Sequence, residues 1–204
     1  MSESLEIETV SKEIDQLVEL ARSGDRTAFD RLIVKYQKKI VNLCVRLLGN
    51  ISDGEDAAQD TFVKAYKNIK QFKGNSRFST WLYAIAINTC RNSRRTWWSK
   101  LWKKAVKLDK PLTDSNGDSV NYELSDVTTL PSKVLTRKRQ IALIVEAIKK
   151  LPEIHRELVI LRDFHERSYE EISEITRIPQ GTVKSRLARA RAALHQEIKG
   201  GFSG

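Results

Sequence analysis

The 204-residue sequence holds only two cysteines, Cys44 within IVNLCVRLL and Cys90 within AIAINTC, and both stand in apolar helical settings. A disulfide-stapled scaffold is therefore excluded, and buried thiols in a reducing compartment are the expected state. No run of about 20 apolar residues occurs, so no membrane-spanning helix is expected. The opening MSESLEIETVSKEID is acidic and polar. It lacks the basic start and apolar centre of a secretory signal, which points to the cytoplasm. GxxxxGK followed by Ser or Thr is absent, as is HExxH, and His155, His165 and His195 are scattered. GNS, GDS and GFS are single loop glycines, and carboxylate pairs such as Glu170 and Glu171 read as solvated. No catalytic residue, metal ligand, cofactor or small-molecule substrate is assigned. One further absence is local: no acidic residue lies between Glu174 and Glu197.

What is present is positive charge. A net charge of +10 and an isoelectric point near 9.6 imply a polyanionic partner, most simply nucleic acid, with a membrane surface as the other candidate.

Helical periodicity runs through most of the chain and predicts an all-α protein. Phe29, Leu32, Ile33, Tyr36, Ile40, Leu43, Cys44 and Leu47 form one buried stripe that Gly49 closes. A second helix is expected from SDGEDAAQD, where Ser52 and Glu55 have capping-box spacing, with Ala58, Phe62, Ala65, Tyr66 and Ile69 inward. A third follows the loop QFKGNSRFS and turns Trp81, Leu82, Ile85 and Cys90 inward. Between Asp109 and Ser132 the stripe stops, and five acidic residues stand against one lysine, which reads as a flexible acidic linker. Helices resume with Ile141, Ile144, Val145, Ile148 and Leu151, then Pro152 opening a helix with Ile154, Leu158 and Leu161 inward. The expected architecture is two small helical domains joined by that linker.

The last pair of helices carries the sharpest signal. Ser168 and Glu171 have capping-box spacing before Tyr169, Ile172 and Ile175, RIPQG breaks the pattern, and a basic helix follows. Such a pair suggests a helix-turn-helix, a pattern shared with inert helical hairpins. On the second helix Val183, Leu187, Ala190 and Leu194 fall within an arc of about 60° and face the core. Ser185, Ala188, Arg189 and Ala192 lie opposite, with Lys184 and Arg191 on one edge and Arg186 on the other. A strip of small residues bordered by cations suits the major groove, because the helix axis comes close while cations meet phosphates. A solvated basic helix is the bland alternative.

The segment LPEIHRELVILRDFHERSYEEISEITRIPQGTVKSRLARARAAL resembles region 4 of the extracytoplasmic-function (ECF) sigma factors, and DGEDAAQDTFVKAYKNIKQFKGNSRFSTWLYAIAINTCRNSRR resembles their region 2. The resemblance implies an N-terminal extension and the start of the first helix over residues 1–25, region 2 over 26–100, a linker over 101–135 and region 4 over 136–204. It further implies a promoter-specificity subunit of RNA polymerase, acting in a stress or envelope response. Its partners would be the polymerase core (β′ clamp coiled coil and β subunit), promoter DNA and an anti-sigma factor.

Asp56, Gln59, Asp60 and Val63 share one outward helical face, an acidic patch in a basic chain, and the resemblance makes it the clamp-binding face. Phe62 stands at a family motif position and fits the core equally well. Downstream, aromatic and cationic residues alternate as on single-strand-binding surfaces. By resemblance the −10 element is held by Phe72, Lys73, Asn75, Ser76, Asn88, Arg91, Asn92 and Arg95, with Phe72 and Asn88 at a pocket for a flipped base. The −35 element would be read by Thr182, Lys184, Ser185, Arg186, Ala188, Arg189 and Arg191. A stand-alone helix-turn-helix regulator and a nucleic-acid-processing enzyme remain as alternatives. The stretch RRTWWSKLWKKAVK, with Trp97, Trp98 and Trp102, fits a backbone-following helix, a regulatory contact or a membrane-surface helix.

Overall fold

The computed structural model describes residues 2–106 and 143–202, and all regular structure among them is helical. Two compact units result, one from the N-terminal helices and one from the C-terminal helices.

Residues 1–25, expected as an extension with the start of the first helix, contain a separate helix, α1 (Ser2–Ser23). Leu17, Val18 and Ala21 bury its inner face at helical spacing. Helix α2 (Arg26–Leu48) begins where the Asp25 carboxylate accepts from the backbone N–H of Thr27 and Ala28, at 2.8 and 3.2 Å. It stops at Gly49, whose φ of 85° is left-handed and whose N–H reaches the Val45 carbonyl at 2.8 Å. The expected stripe is buried from Phe29 to Leu47, save Ile33, which is half-buried.

Helix α3 (Ile51–Asn68) is not capped by Ser52 and Glu55. Asn50 takes that role: its amide oxygen accepts from the Asp53 N–H at 2.8 Å, and its amide nitrogen donates to the Asp53 carboxylate at 2.7 Å. The reason is local, since the left-handed Gly49 ends α2 and the next residue must serve the orphan N–H groups of α3. The inner face is Gly54, Ala57, Ala58, Thr61 and Ala65. These small side chains let α3 lie close on α2. A Cβ on Gly54 would stand 2.4 Å from Val45 Cγ2 and 2.6 Å from Val45 Cα. Tyr66, expected inward, is 49% exposed, its ring edge-on to Phe29 at 5.1 Å.

A 3-10 turn (Ile69–Gln71) and a short loop lead into α4 (Phe78–Val106), whose helical backbone continues past the expected linker start at 101. Leu82, Tyr83, Ala86, Ile87 and Cys90 are buried. Cys44 and Cys90 are both free and buried. Residues 107–142, with most of the expected linker and Ile141, lie outside the described residues, as do the side chains of Trp97, Trp98 and Trp102.

In the second unit α5 spans 143–150. Ala147, Ile148 and Leu151 are buried, while Ile144, expected inward, is 36% exposed. Helix α6 (Glu153–Val159) follows with Pro152 as its N-cap rather than its first residue. Arg156 is buried, and its guanidinium donates to the carbonyls of Ile148 (3.2 Å), Leu151 (3.1 Å) and Lys149, closing the C-terminus of α5. Those bonds satisfy carbonyls that the helix end orphans and compensate the buried charge. The helix widens into a π turn (Ile160–Phe164) before α7 (Tyr169–Thr176).

The capping box of α7 forms as expected: the Ser168 N–H donates to Glu171 Oε2 at 2.9 Å, and the Glu171 N–H to Ser168 Oγ at 3.2 Å. Arg177 then adopts a φ of 59°, and the Ser173 hydroxyl donates to the Ile178 carbonyl at 2.6 Å, fixing a tight turn into α8 (Gln180–Phe202).

Candidate nucleic-acid interface

Helix α8 divides sharply. Val183, Leu187 and Ala190 are buried, whereas Lys184, Ser185, Ala188, Arg189 and Arg191 are exposed and Thr182 and Arg186 half-buried. Leu194 is half-buried at the end of the inner stripe. The residues expected on the outward face are therefore on it, with Arg186 at its edge. The Ser185 hydroxyl donates to the Thr182 carbonyl at 3.1 Å, so its oxygen retains acceptor capacity.

The flank of this face is organised by neighbours the sequence did not reveal. Lys184 Nζ lies 5.5 Å and Arg162 Cζ 4.9 Å from the centre of the Tyr169 ring, so one aromatic ring contacts two cations. Glu170 accepts from Gln180 at the start of α8. Its carboxyl is held below the ordinary value by its own backbone N–H, then Ser168, Gln180 and the Lys184 charge. Arg191, expected on the edge as a cation that meets phosphates, is paired with Asp163 of the π turn through both Nε (3.2 Å) and Nη2.

In the first unit a groove of about 370 Å³ opens between α3, the 3-10 turn and α4. Lys64, Asn68, Gln71, Trp81, Ile85, Asn88, Thr89 and Asn92 line it. Asn88, Arg91, Asn92 and Arg95 recur at helical spacing on α4; Asn88, Asn92 and Arg95 are exposed and Arg91 half-buried. Lys64 reaches across to donate to Thr89 Oγ1 at 3.1 Å, which closes the floor. The loop places Lys73 and Asn75 in solvent and Ser76 half-buried, around Gly74 with a φ of 71°.

Two aromatic expectations exchange places. Phe72 is only 6% exposed and packs on Phe78 (6.1 Å) and Trp81 (5.1 Å), so it supports the groove rather than lining it. Trp81, expected in the core, is half-buried and forms a wall. The cause is a crowded cluster. Tyr36 and Phe72 both press on Phe78, which fills the interior and leaves the larger indole at the rim.

On α3 the residues Asp56, Gln59 and Asp60 are exposed, and Val63 is 51% exposed. Tyr66 extends this face one turn further, an i, i+3 continuation of Val63 that the sequence reading assigned to the core. Phe62 is half-buried between this face and the core. An acidic turn followed by exposed apolar side chains is suited to a basic helical partner with an apolar seam.

Residues 32–109 match the family model for Sigma-70 region 2, and residues 141–194 match that for Sigma-70, region 4. The RNA polymerase sigma-H factor of Pseudomonas aeruginosa is 37% identical over 90% of this chain and 93% of its own. The ECF RNA polymerase sigma factor SigW of Bacillus subtilis is 35% identical over 91% of this chain and 97% of its own. The fold is also that of CnrH, solved in complex with the cytosolic domain of CnrY: TM-score 0.66, 20% identity, covering 92% of this chain and 98% of that one. RpoE of Bartonella quintana, solved with the anti-sigma factor NepR, gives a TM-score of 0.62 at 22% identity over 84% of this chain and 96% of that one. Among the described residues no helix is long and apolar enough to cross a membrane. By its two matched regions and its identity to named members over nearly its full length, the chain belongs to the ECF sigma factors, subunits that direct bacterial RNA polymerase to promoters.

Proposed function

We propose that the three exposed faces divide the work of promoter recognition. The α3 face of Asp56, Gln59, Asp60 and Val63, with Phe62 at its edge, docks on the β′ clamp coiled coil, and Tyr66 belongs with it. The α4 groove takes an unpaired −10 base, with Asn88 and Asn92 at its polar wall and Trp81 available for stacking. Lys73, Asn75, Ser76, Arg91 and Arg95 follow the strand, while Phe72 acts from beneath by holding Trp81. The outward face of α8, from Thr182 to Arg191, reads the −35 duplex. Residues 26–100 form the clamp and −10 domain and 136–204 the −35 domain, which also meets the β subunit. An anti-sigma factor is the remaining partner in this reading, as NepR is for RpoE of B. quintana.

The observation that carries this reading is segregation of charge within one small unit. Exposed carboxylates gather on α3, where DNA would be repelled, while polar and cationic groups gather on α4, where a strand would be held. Asp56→Lys with Asp60→Lys tests it. Both positions are exposed, so the fold should melt as the wild type does, while capture by core polymerase is lost, the reversal costing several kcal/mol, about 3 or more. Wild-type co-purification with core would contradict the assignment.

A further inference from the structure

We infer that Asp163 is a positioning residue for DNA binding, holding the Arg191 guanidinium so that its outer N–H groups face a phosphate at the edge of the −35 element. The inference rests on the reading of α8 as the −35 helix. Asp163 lies 28 residues before Arg191, in the π turn that ends α6, and its two carboxylate oxygens meet Nε and Nη2 of the guanidinium. A π turn inserts an extra residue into the helical ladder and redirects the side chains it carries. Here the His165 N–H bonds back to Ile160 at 3.1 Å, five residues away, and the wide turn aims Asp163 at α8.

Burial sets the order of the pair. The Asp163 side chain is 33% exposed and that of Arg191 48%, so the carboxylate is the less exposed partner. A guanidinium is a rigid planar fork with more N–H donors than one carboxylate can occupy. With the Nε and Nη2 edge taken by Asp163, Nη1 stands outside the pair. An arginine held this way meets a phosphate with less side-chain entropy to lose than a freely rotating one. The ion pair also explains why this cation sits on α8 without a nearby acidic residue on its own helix.

Two opposing effects make the test decisive. On charge alone, removing a carboxylate beside a polyanion should tighten binding. Removing a positioning group should weaken it. The assay is holoenzyme binding to a labelled duplex that carries the −35 element without a −10 element, recovered by holoenzyme from a random pool. Asp163→Ala should weaken binding roughly two- to five-fold, the range that a half-exposed ion pair can carry. The loss should vanish when Arg191→Ala is already present, and Asp163→Glu should restore binding. Thermal melting of each variant separates this from a damaged fold, and Asp163→Asn, which keeps the shape, should fall on the weakened side.

Tighter binding by Asp163→Ala overturns the inference in favour of a restraining counter-charge. An equal loss in both Arg191 backgrounds overturns it in favour of a purely structural role. If Arg189→Ala and Arg191→Ala are both without effect, the α8 reading fails and takes this inference with it. If those two weaken binding and Asp163→Ala does not, this inference alone fails.

Discussion

The N-terminal unit assembles its candidate DNA surface between elements, from α3, the 3-10 turn and α4, whereas the C-terminal unit carries its own along one helix, α8. In the proposed reading the two solutions follow from what each would bind. An extruded base needs a recess with a floor and walls, and only a junction between packed helices supplies one. A duplex groove accepts a whole helix, so one well-anchored face suffices. The difference shows in the interiors as well. The first unit depends on close approach at Gly54 and on the cluster of Tyr36, Phe72, Phe78 and Trp81, so its site is sensitive to core changes. The second anchors α8 on small and aliphatic residues, Val183, Leu187 and Ala190, and its outward side chains can be changed without disturbing them.

That contrast is broken most forcefully at Gly54. In an exposed helix Gly→Ala stabilises by about 1 kcal/mol through propensity. At Gly54 the new Cβ would meet Val45 side chain and backbone at 2.4 and 2.6 Å. Overpacking of that kind costs about 3 kcal/mol, so the clash wins and the net loss is about 2 kcal/mol. The expected result is a melting temperature about 10 °C lower for the N-terminal unit, with polymerase capture and promoter opening impaired together. An unchanged or raised melting temperature would show that the α2–α3 contact is looser than described.

A smaller effect sharpens the other half. Arg189→Ala should leave melting unchanged and cost about 1–3 kcal/mol at its cognate −35 base, relaxing preference there. Binding of holoenzyme to single-base −35 variants checks it. A uniform loss across all variants would make Arg189 a phosphate contact and would mean that α8 is rotated in the groove.

How far the sequence disclosed these features depends on how local their causes are. The α2 stripe and its glycine stop, the Ser168–Glu171 box and the two faces of α8 each rest on neighbours within a turn, and periodicity exposed them. Helix α1 was legible too, in the spacing of Leu17, Val18 and Ala21, but the acidic, polar start concealed it. Two caps competed at α3, Asn50 with Asp53 and Ser52 with Glu55, and only the left-handed Gly49 decides between them. Trp81 and Tyr66 were misplaced because apolar periodicity alone does not say which aromatics fill the interior, and Phe72, put at the pocket by resemblance, is buried beneath it. The Asp163–Arg191 pair spans 28 residues and a π turn, which no periodic pattern encodes.

The central claim is that the α4 groove acts on the opened strand while its aromatic underside only maintains the shape. Permanganate footprinting of −10 thymines by holoenzyme carrying Asn88→Ala or Phe72→Ala, alongside thermal melts of each chain, tests it most directly. Asn88 is exposed on the groove wall and Phe72 buried beneath it. The account expects Asn88→Ala to melt as the wild type does and to retain −35 binding, yet to lose −10 reactivity. Phe72→Ala should lose stability and reactivity together, by about 3–5 kcal/mol for a buried Phe→Ala change. Wild-type permanganate reactivity in the Asn88→Ala holoenzyme would contradict the account.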